Sequence, residues 1–149
     1  MRILICGVGG QGVVLLTRML CETATLSGKR CLSSETHRMS RMLGSVNTTV
    51  KIGDYHSPEV DEVDLLVGLD PDETRNYLHL AKGEILTFGR VSGAKTLRCD
   101  LPSPNIFVLG VLCRTLSLPP ETARQIIREF GRRVDDNIKS FDAGYVYEP

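Results

Sequence analysis

MRILICGVGGQGVVLL, residues 1–16, decides how the rest of the chain is read. Arg2 to Cys6, apolar from Ile3 onward, reads as a short buried strand, and Gly7, Gly9, Gly10 and Gly12 follow at once. From Val13 a helical pattern runs to about Leu26, where Ser27-Gly28 stops it. A strand, a glycine turn and a helix in that order open a parallel α/β sheet, and Gly7-x-Gly9-x-x-Gly12 has the spacing of a dinucleotide fingerprint. Glycine lets the backbone turn sharply and come close to a ligand, while the helix start behind it presents unpaired N–H groups and partial positive charge.

The residues around the glycines leave the ligand open. In a nicotinamide enzyme an acid about twenty positions on binds the ribose hydroxyls, and Glu35, at the end of the expected second strand, is in reach of that role. Against it, the chain supplies no second domain for a substrate, and Gly10-Gln11 is not asked for by the fingerprint. The glycines also serve if they only let the first helix pack closely on the sheet. Gln11 is placed to orient either a ligand or a neighbouring backbone amide, and the sequence does not choose.

Downstream the pattern continues. "KRCLSSE" suits a second strand, and "SVNTTVKIG" puts Val46, Thr48, Val50 and Ile52 on one face of a third at period two. "VDLLVGLD" is an unbroken apolar run, as in a buried parallel strand, and "EILTFG" repeats it more weakly. Asp70, at the strand edge where α/β ligands bind and before Pro71-Asp72-Glu73, is placed either to line the crevice or to cap the next helix. "NIFVLGVLCRTL" is apolar on every side, as expected of a helix buried on more than one side in the core or docked on a partner. A last helix starts at Pro119-Pro120, with Ala123, Ile126, Ile127, Phe130 and Val134 on one face; Ile138 and Phe141 keep that phase, so the helix is expected to continue across Gly131 with a kink, leaving "GYVYEP" as a tail. The fold expected is a single Rossmann-like α/β domain over residues 1–149, with a mostly parallel sheet flanked by helices.

Composition narrows the partners. With 149 residues the chain buries roughly two-thirds of its unfolded surface and holds one core unaided. Eighteen basic and eighteen acidic residues cancel, which removes the bulk electrostatic attraction for nucleic acid or an anionic membrane. Charge is nonetheless segregated: Lys29 to Lys51 is basic apart from Glu35, and Asp54 to Glu73 holds eight acids without a Lys or Arg. Cys6, Cys21, Cys31, Cys99 and Cys113 are scattered and odd in number, without C-x-x-C spacing. They read as reduced, mostly buried thiols of a cytoplasmic protein, which argues against an iron–sulfur cluster or structural zinc held by this chain. His37, His56 and His79 have no metal-like spacing, and no carboxylate pair or Ser/His/Asp order stands out. No run of apolar residues is long enough to span a membrane, and glycines plus Gln11 within the first apolar stretch do not make a secretory signal.

"GVGGQGVVLLTRML", "SSETHRMSRMLGSVNTTVKIGD", "VDLLVGLDPDETRNYL", "NIFVLGVL" and "ETARQIIREF…NIKSFDAGY" together resemble one family, in order and over nearly the whole chain. It is the gamma subunit or equivalent domain of 2-oxoacid:ferredoxin oxidoreductases, and most closely the beta-subunit type that acts on indolepyruvate. The resemblance implies a non-thiamine-binding subunit of a complex that oxidatively decarboxylates a 2-oxoacid to an acyl-coenzyme A and passes electrons to ferredoxin. Thiamine diphosphate and iron–sulfur clusters then belong to partner subunits, and this chain has an assembly and coenzyme-A-side role with no catalytic acid, base or nucleophile and no metal. The residues expected at a ligand are Gly7, Gly9, Gly10, Gln11, Gly12, Glu35, His37, Arg38 and Arg41.

Two departures bear on that expectation. The family segment close to Gly-Met-Ala-Gln-Arg-Gly-Gly-Ser-Val reads here from Arg38 to Val46, with Arg38 and Leu43 at two glycine positions. Arg38 and Arg41 stand at i, i+3, so a helical turn would put them on one side, either as forks for a phosphate of coenzyme A or as ordinary solvated arginines. The connection between "EILTFG" and Asn105 is also shorter than the family's usual one. The rival reading is a free-standing NAD(P)- or nucleotide-binding module, and a third is a non-catalytic assembly factor. The 2-oxoacid, and self-association of the isolated chain, are left open.

Overall fold

β1 (Arg2–Val8) sits in the middle of the sheet, which is why its residues are apolar on both faces. The structure, a computed structural model, describes residues 1–38, 44–57 and 61–149, apart from the side chains of His37 and Arg38. After β1 come α1 (Val13–Leu26), β2 (Cys31–Arg38), β3 (Ser45–Ile52), β4 (Val63–Gly68), α2 (Pro71–Asn76), a short 3-10 turn at Leu78–Leu80, β5 (Ala81–Phe88), β6 (Lys95–Leu97), α3 (Pro104–Thr115), α4 (Pro120–Phe130) and α5 (Val134–Tyr145).

Among the described residues the strands form one six-stranded sheet in the order β2-β3-β1-β4-β5-β6. β4 pairs with β1, β5 with β4 and β6 with β5 in parallel, whereas β3 is antiparallel to both β1 and β2. Five strands therefore point one way and β3 the other. The crossover through α1 leaves a gap one strand wide between β1 and β2, and the β2–β3 hairpin folds back to fill it. The sequence carries both chemistries: past Asp64 at its start, β4 is apolar and buried from Leu65 to Gly68 as a parallel strand requires, and β3 places Val46, Thr48, Val50 and Ile52 at period two as an antiparallel one does.

Alternation along β1 divides the core between two faces. Ile3 and Ile5 join Val50, Leu65, Val67 and Leu86 under α1 and α3, the main core. Leu4, Cys6 and Leu66 point the other way, against Tyr77, Leu78, Leu80 and Ile85 around the 3-10 turn. α3 is buried along its length from Ile106 to Cys113 because α1, α4 and α5 all pack on it. Two expectations change here. Gly131, at φ +73, ends α4 in the left-handed conformation, so α5 is a separate helix and not a continuation. Gly144 and Tyr145, expected in a tail, lie inside α5.

The starts of β1 and β4 are tied by one ion pair. The Arg2 backbone N–H donates to Asp64 Oδ2 at 2.7 Å, and its guanidinium reaches both carboxylate oxygens, at 2.8 and 3.3 Å. The Arg2 side-chain hydrogen bond holds the Asp64 carboxyl below the usual carboxylate range. A carboxyl with a depressed folded pKa stabilises the fold above its unfolded value and loses that contribution as pH falls through the folded one. Acid titration of stability should therefore fall below about pH 4, and Asp64→Asn should flatten part of that fall while costing little at neutral pH, because both side chains are about a third exposed. Urea melts of both proteins at several pH values read this directly; parallel pH curves would refute it.

Candidate functional site

β1, β4 and β5 end together on one edge of the sheet, the edge where ligands of open α/β folds bind, and the glycine loop lies there. Gly10 and Gly12 take φ of +90 and +80, which a residue with a Cβ adopts only with strain. Gly7 is needed for space: a Cβ there would come within 2.6 Å of Gln11 Oε1 and 2.9 Å of Val13 Cγ2. A Cβ on Gly12 would strike the side-chain amide of Asn105, which donates to the Gly12 carbonyl at 3.4 Å. Gly9 is secured by its N–H to the Gly44 carbonyl, 2.9 Å, and Gly10 faces open space.

Gln11 resolves to a backbone role. Its Oε1 accepts from the Val8 N–H at 2.8 Å and its Nε2 donates to the Leu69 carbonyl at 3.2 Å, so the amide bridges the glycine loop and the end of β4. Asp70 next door caps α2, accepting from the N–H groups of Asp72 and Glu73 at 2.9 and 3.0 Å. Gln11→Ala should remove both bridges, leave one buried backbone group short of a partner and cost about 1–3 kcal/mol. Equilibrium denaturation measures it, and a change under about 0.5 kcal/mol would show that water replaces the amide.

Beside this loop is a cleft of about 560 Å³, within the size range of small-molecule sites. Leu15, Leu69, Phe88, Ile106 and Phe130 give it an apolar wall, and Arg132 and Arg133 overhang it. The helix starts of α1 and α3 both open on it, neither with a side-chain cap nor an acid in its first turn. Their unpaired N–H groups and partial positive charge add to that of the arginines. No acidic residue lines the cleft among the described residues.

The arginines are held there by buried polar contacts. Ser103 Oγ bonds Asn137 Oδ1 at 2.6 Å, and Asn137 Nδ2 donates to the Arg132 carbonyl at 3.0 Å, so the start of α3 fixes the turn that follows Gly131. Arg133, at φ +44, shares its guanidinium with Asp136 at 3.4 Å. The Arg132 guanidinium has no partner among the described residues. Such a site can hold an anion at its charged end and an apolar chain along its wall. It presents no carboxylate pair or histidine for proton transfer, and no group of three or more metal-ligating side chains comes together among the described residues.

The residues expected from sequence are distributed unevenly about this cleft. Gly10, Gln11 and Gly12 line it, with Gly7 and Gly9 shaping the loop behind them. Glu35 does not: it pairs with Thr48 on edge strand β2, and Thr48 in turn with Ile5, so β3 separates it from β1. The ribose-binding acid of the fingerprint sits on the strand adjoining β1, a place taken here by β3. Arg38 ends β2 as a strand residue paired with Ser45. Arg41, and the side chains of His37 and Arg38, lie outside the described residues. Arg132, Arg133, Asn105 and Asn137 were missed. Arg132 and Arg133 precede α5, whose first turn carries Asp135 and Asp136, so with the stop at Gly131 hidden no local charge signal set them apart.

Fold and cleft together define a Rossmann-like α/β domain with an arginine-bearing cleft beside its glycine loop. Residues 2–88 match the pyruvate ferredoxin/flavodoxin oxidoreductase family, and the chain belongs to it. The indolepyruvate oxidoreductase subunit IorB of Pyrococcus horikoshii is 34% identical over 96% of this chain and 93% of its own length. The 2-oxoglutarate synthase subunit KorC of Archaeoglobus fulgidus is 26% identical over 97% of this chain and 86% of its own. The match to the IorB subunit of Archaeoglobus fulgidus, at 34% identity, spans 52% of this chain and 39% of that protein. In fold, the chain superposes on the pyruvate oxidoreductase subunit PORC of Thermotoga maritima with a TM-score of 0.77 at 21% identity, covering 97% and 94% of the two chains. It also superposes on part of the 2-oxoglutarate:ferredoxin oxidoreductase of Magnetococcus marinus, TM-score 0.79 at 14% identity, over 97% of this chain and 30% of the other. The resemblance read from the glycine loop onward, and the Rossmann-like fold it implied, are borne out.

Proposed function

We propose that the chain is the non-thiamine-binding subunit of a 2-oxoacid:ferredoxin oxidoreductase complex of the indolepyruvate or pyruvate type, where it receives coenzyme A during oxidative decarboxylation of a 2-oxoacid to an acyl-coenzyme A. The observation that carries the coenzyme-A role is the cleft: two arginines and two uncapped helix starts at one end suit phosphates, and the apolar wall beside them suits a pantetheine arm. Arg132, Arg133 and the first turns of α1 and α3 hold the phosphates, while Leu15, Phe88 and Ile106 line the arm's path. Thiamine diphosphate and iron–sulfur clusters reside on partner subunits, as does the chemistry at the 2-oxoacid, and ferredoxin is met through the complex. Family membership supports this assignment over a free-standing NAD(P) module, as does the place of Glu35 beyond β3. A cytoplasmic location follows from the reading; among the described residues no helix is long and apolar enough to cross a membrane.

Purification of the tagged chain from its own host tests the assignment. Stoichiometric partner chains carrying thiamine diphosphate and iron are expected, with 2-oxoacid- and coenzyme-A-dependent reduction of ferredoxin. A chain that purifies alone, without cofactors, and binds NAD stoichiometrically would overturn it.

A further inference from the structure

Cys21 on α1 and Cys31 at the first position of β2 lie ten residues apart, and the turn between helix and strand brings their sulfurs to 2.8 Å. A disulfide needs about 2.05 Å, so the two atoms have little further to travel. Both residues are half-buried, whereas Cys6 and Cys113 are buried in the core, where burial pushes each thiol up to about 12. The pair is asymmetric. The Cys31 thiol donates to the Cys21 sulfur, which with the nearby Ser33 hydroxyl holds Cys21 below the ordinary thiol range and keeps the proton on Cys31, raised by the same contact. A thiolate of lowered pKa beside a resolving thiol is the arrangement of a peroxide-reactive site.

We propose that Cys21 and Cys31 form a peroxide-reactive dithiol site that closes to a reversible intramolecular disulfide. The Cys21 thiolate attacks one oxygen of hydrogen peroxide; the O–O bond breaks, Cys21 becomes a sulfenic acid, and the departing hydroxide takes up the proton Cys21 had released, as water. The Cys31 sulfur then attacks the sulfenic sulfur, the S–O bond breaks, the S–S bond forms, and the leaving hydroxide carries off the Cys31 proton as a second water. Two thiols and one peroxide give one disulfide and two waters: sulfur loses two electrons and peroxide gains them. An added dithiol reverses the change by exchange. The link joins α1 to the outer strand β2. It lies nine residues beyond Gly12 and pairs through Cys31 with Ile52, at the opposite end of β3 from Ser45, so the cleft is left open in both states.

The full chain, reduced and then treated with stoichiometric hydrogen peroxide, is alkylated under denaturing conditions and mapped by peptide mass spectrometry. The expected result is a Cys21–Cys31 cross-linked peptide, a free-thiol count lower by two than the five of the reduced chain, and full recovery with dithiothreitol. Oxidation that leaves Cys21 and Cys31 unlinked, or no oxidation of either, overturns the proposal on the wild-type chain alone. Cys31→Ser then tests the order of attack: Cys21 should accumulate as a sulfenic acid trapped by dimedone, and the absence of that adduct with Cys31→Ser folded, or its appearance on Cys31 in Cys21→Ser, overturns Cys21 as the attacking thiol.

Discussion

Gly144→Ala is expected to destabilise the chain by about 3 kcal/mol or more. α3 and α5 cross backbone to backbone: a Cβ on Gly144 would sit inside the Phe107 carbonyl oxygen and 2.8 Å from the carbon that bears it. Gly110 makes the reciprocal approach, where a Cβ would lie 2.6 Å from the Tyr145 nitrogen. Neither obstacle is the end of a flexible side chain, so relief requires the helices to separate. Separation would open the packing of Phe141, fully buried, and the edge contact of Phe107 with Tyr147 at 5.1 Å. For a chain of this size the thermal midpoint should fall by roughly 10 °C. Gly93→Ala is the control, since a Cβ there meets nothing within 4 Å and only its φ of +79 is strained; it should cost about 1 kcal/mol. A Gly144→Ala melt within a degree or two of the parent would mean that α5 does not rest on α3 as described.

That crossing shows where a sequence stops being readable. The all-round apolar character of "NIFVLGVLCRTL" announces a helix buried on every side, because each face must be desolvated by something. It does not say that Gly110 meets Gly144, thirty-four positions away, since glycine has no side chain to reveal a partner. Local signals were sufficient for the glycine loop, the Asp70 cap and β4, where spacing and polarity are set by neighbours a few residues off. Period-two alternation at Val46, Thr48, Val50 and Ile52 indicated the strand, but its insertion between β1 and β2 depends on a crossover whose span is not encoded locally. α5 kept the phase of α4 because both pack on α3, and that shared face hid the stop at Gly131. β6 has three residues, too few for any period.

The candidate site was half legible for the same reason. The glycine loop is contiguous and its turn demands glycine, so the part that lines the cleft could be found from spacing. The positive end of the cleft is assembled from contacts across the chain, Asn105 on Gly12 and Asn137 on Ser103, and each is one polar residue among many in the sequence. Cys21 and Cys31 likewise look unrelated until the turn after α1 folds them together.

Replacing both cleft arginines, Arg132→Gln with Arg133→Gln, is expected to raise the dissociation constant for coenzyme A by about 10- to 100-fold in the assembled complex. A hydrogen bond to a charged group contributes about 1.5–3 kcal/mol, and about 1.4 kcal/mol is tenfold in affinity. The two should not contribute equally. Among the described residues the Arg132 guanidinium has no partner and would be wholly available to a phosphate, whereas Arg133 would divide its own with Asp136. Arg132→Gln alone should therefore account for most of the loss. Glutamine keeps most of the stem and the backbone carbonyl that Asn137 requires, so the turn persists while the charge is gone. Pantetheine, which lacks the nucleotide phosphates, supplies the discriminating measurement: its binding should be unchanged by either substitution, and the salt dependence of coenzyme A binding should become shallower. A parallel loss for both ligands would locate the damage in the apolar wall. Unchanged affinity for coenzyme A in the double variant would remove the phosphates from this cleft altogether, because two helix starts without the arginines have no net charge with which to hold them against water.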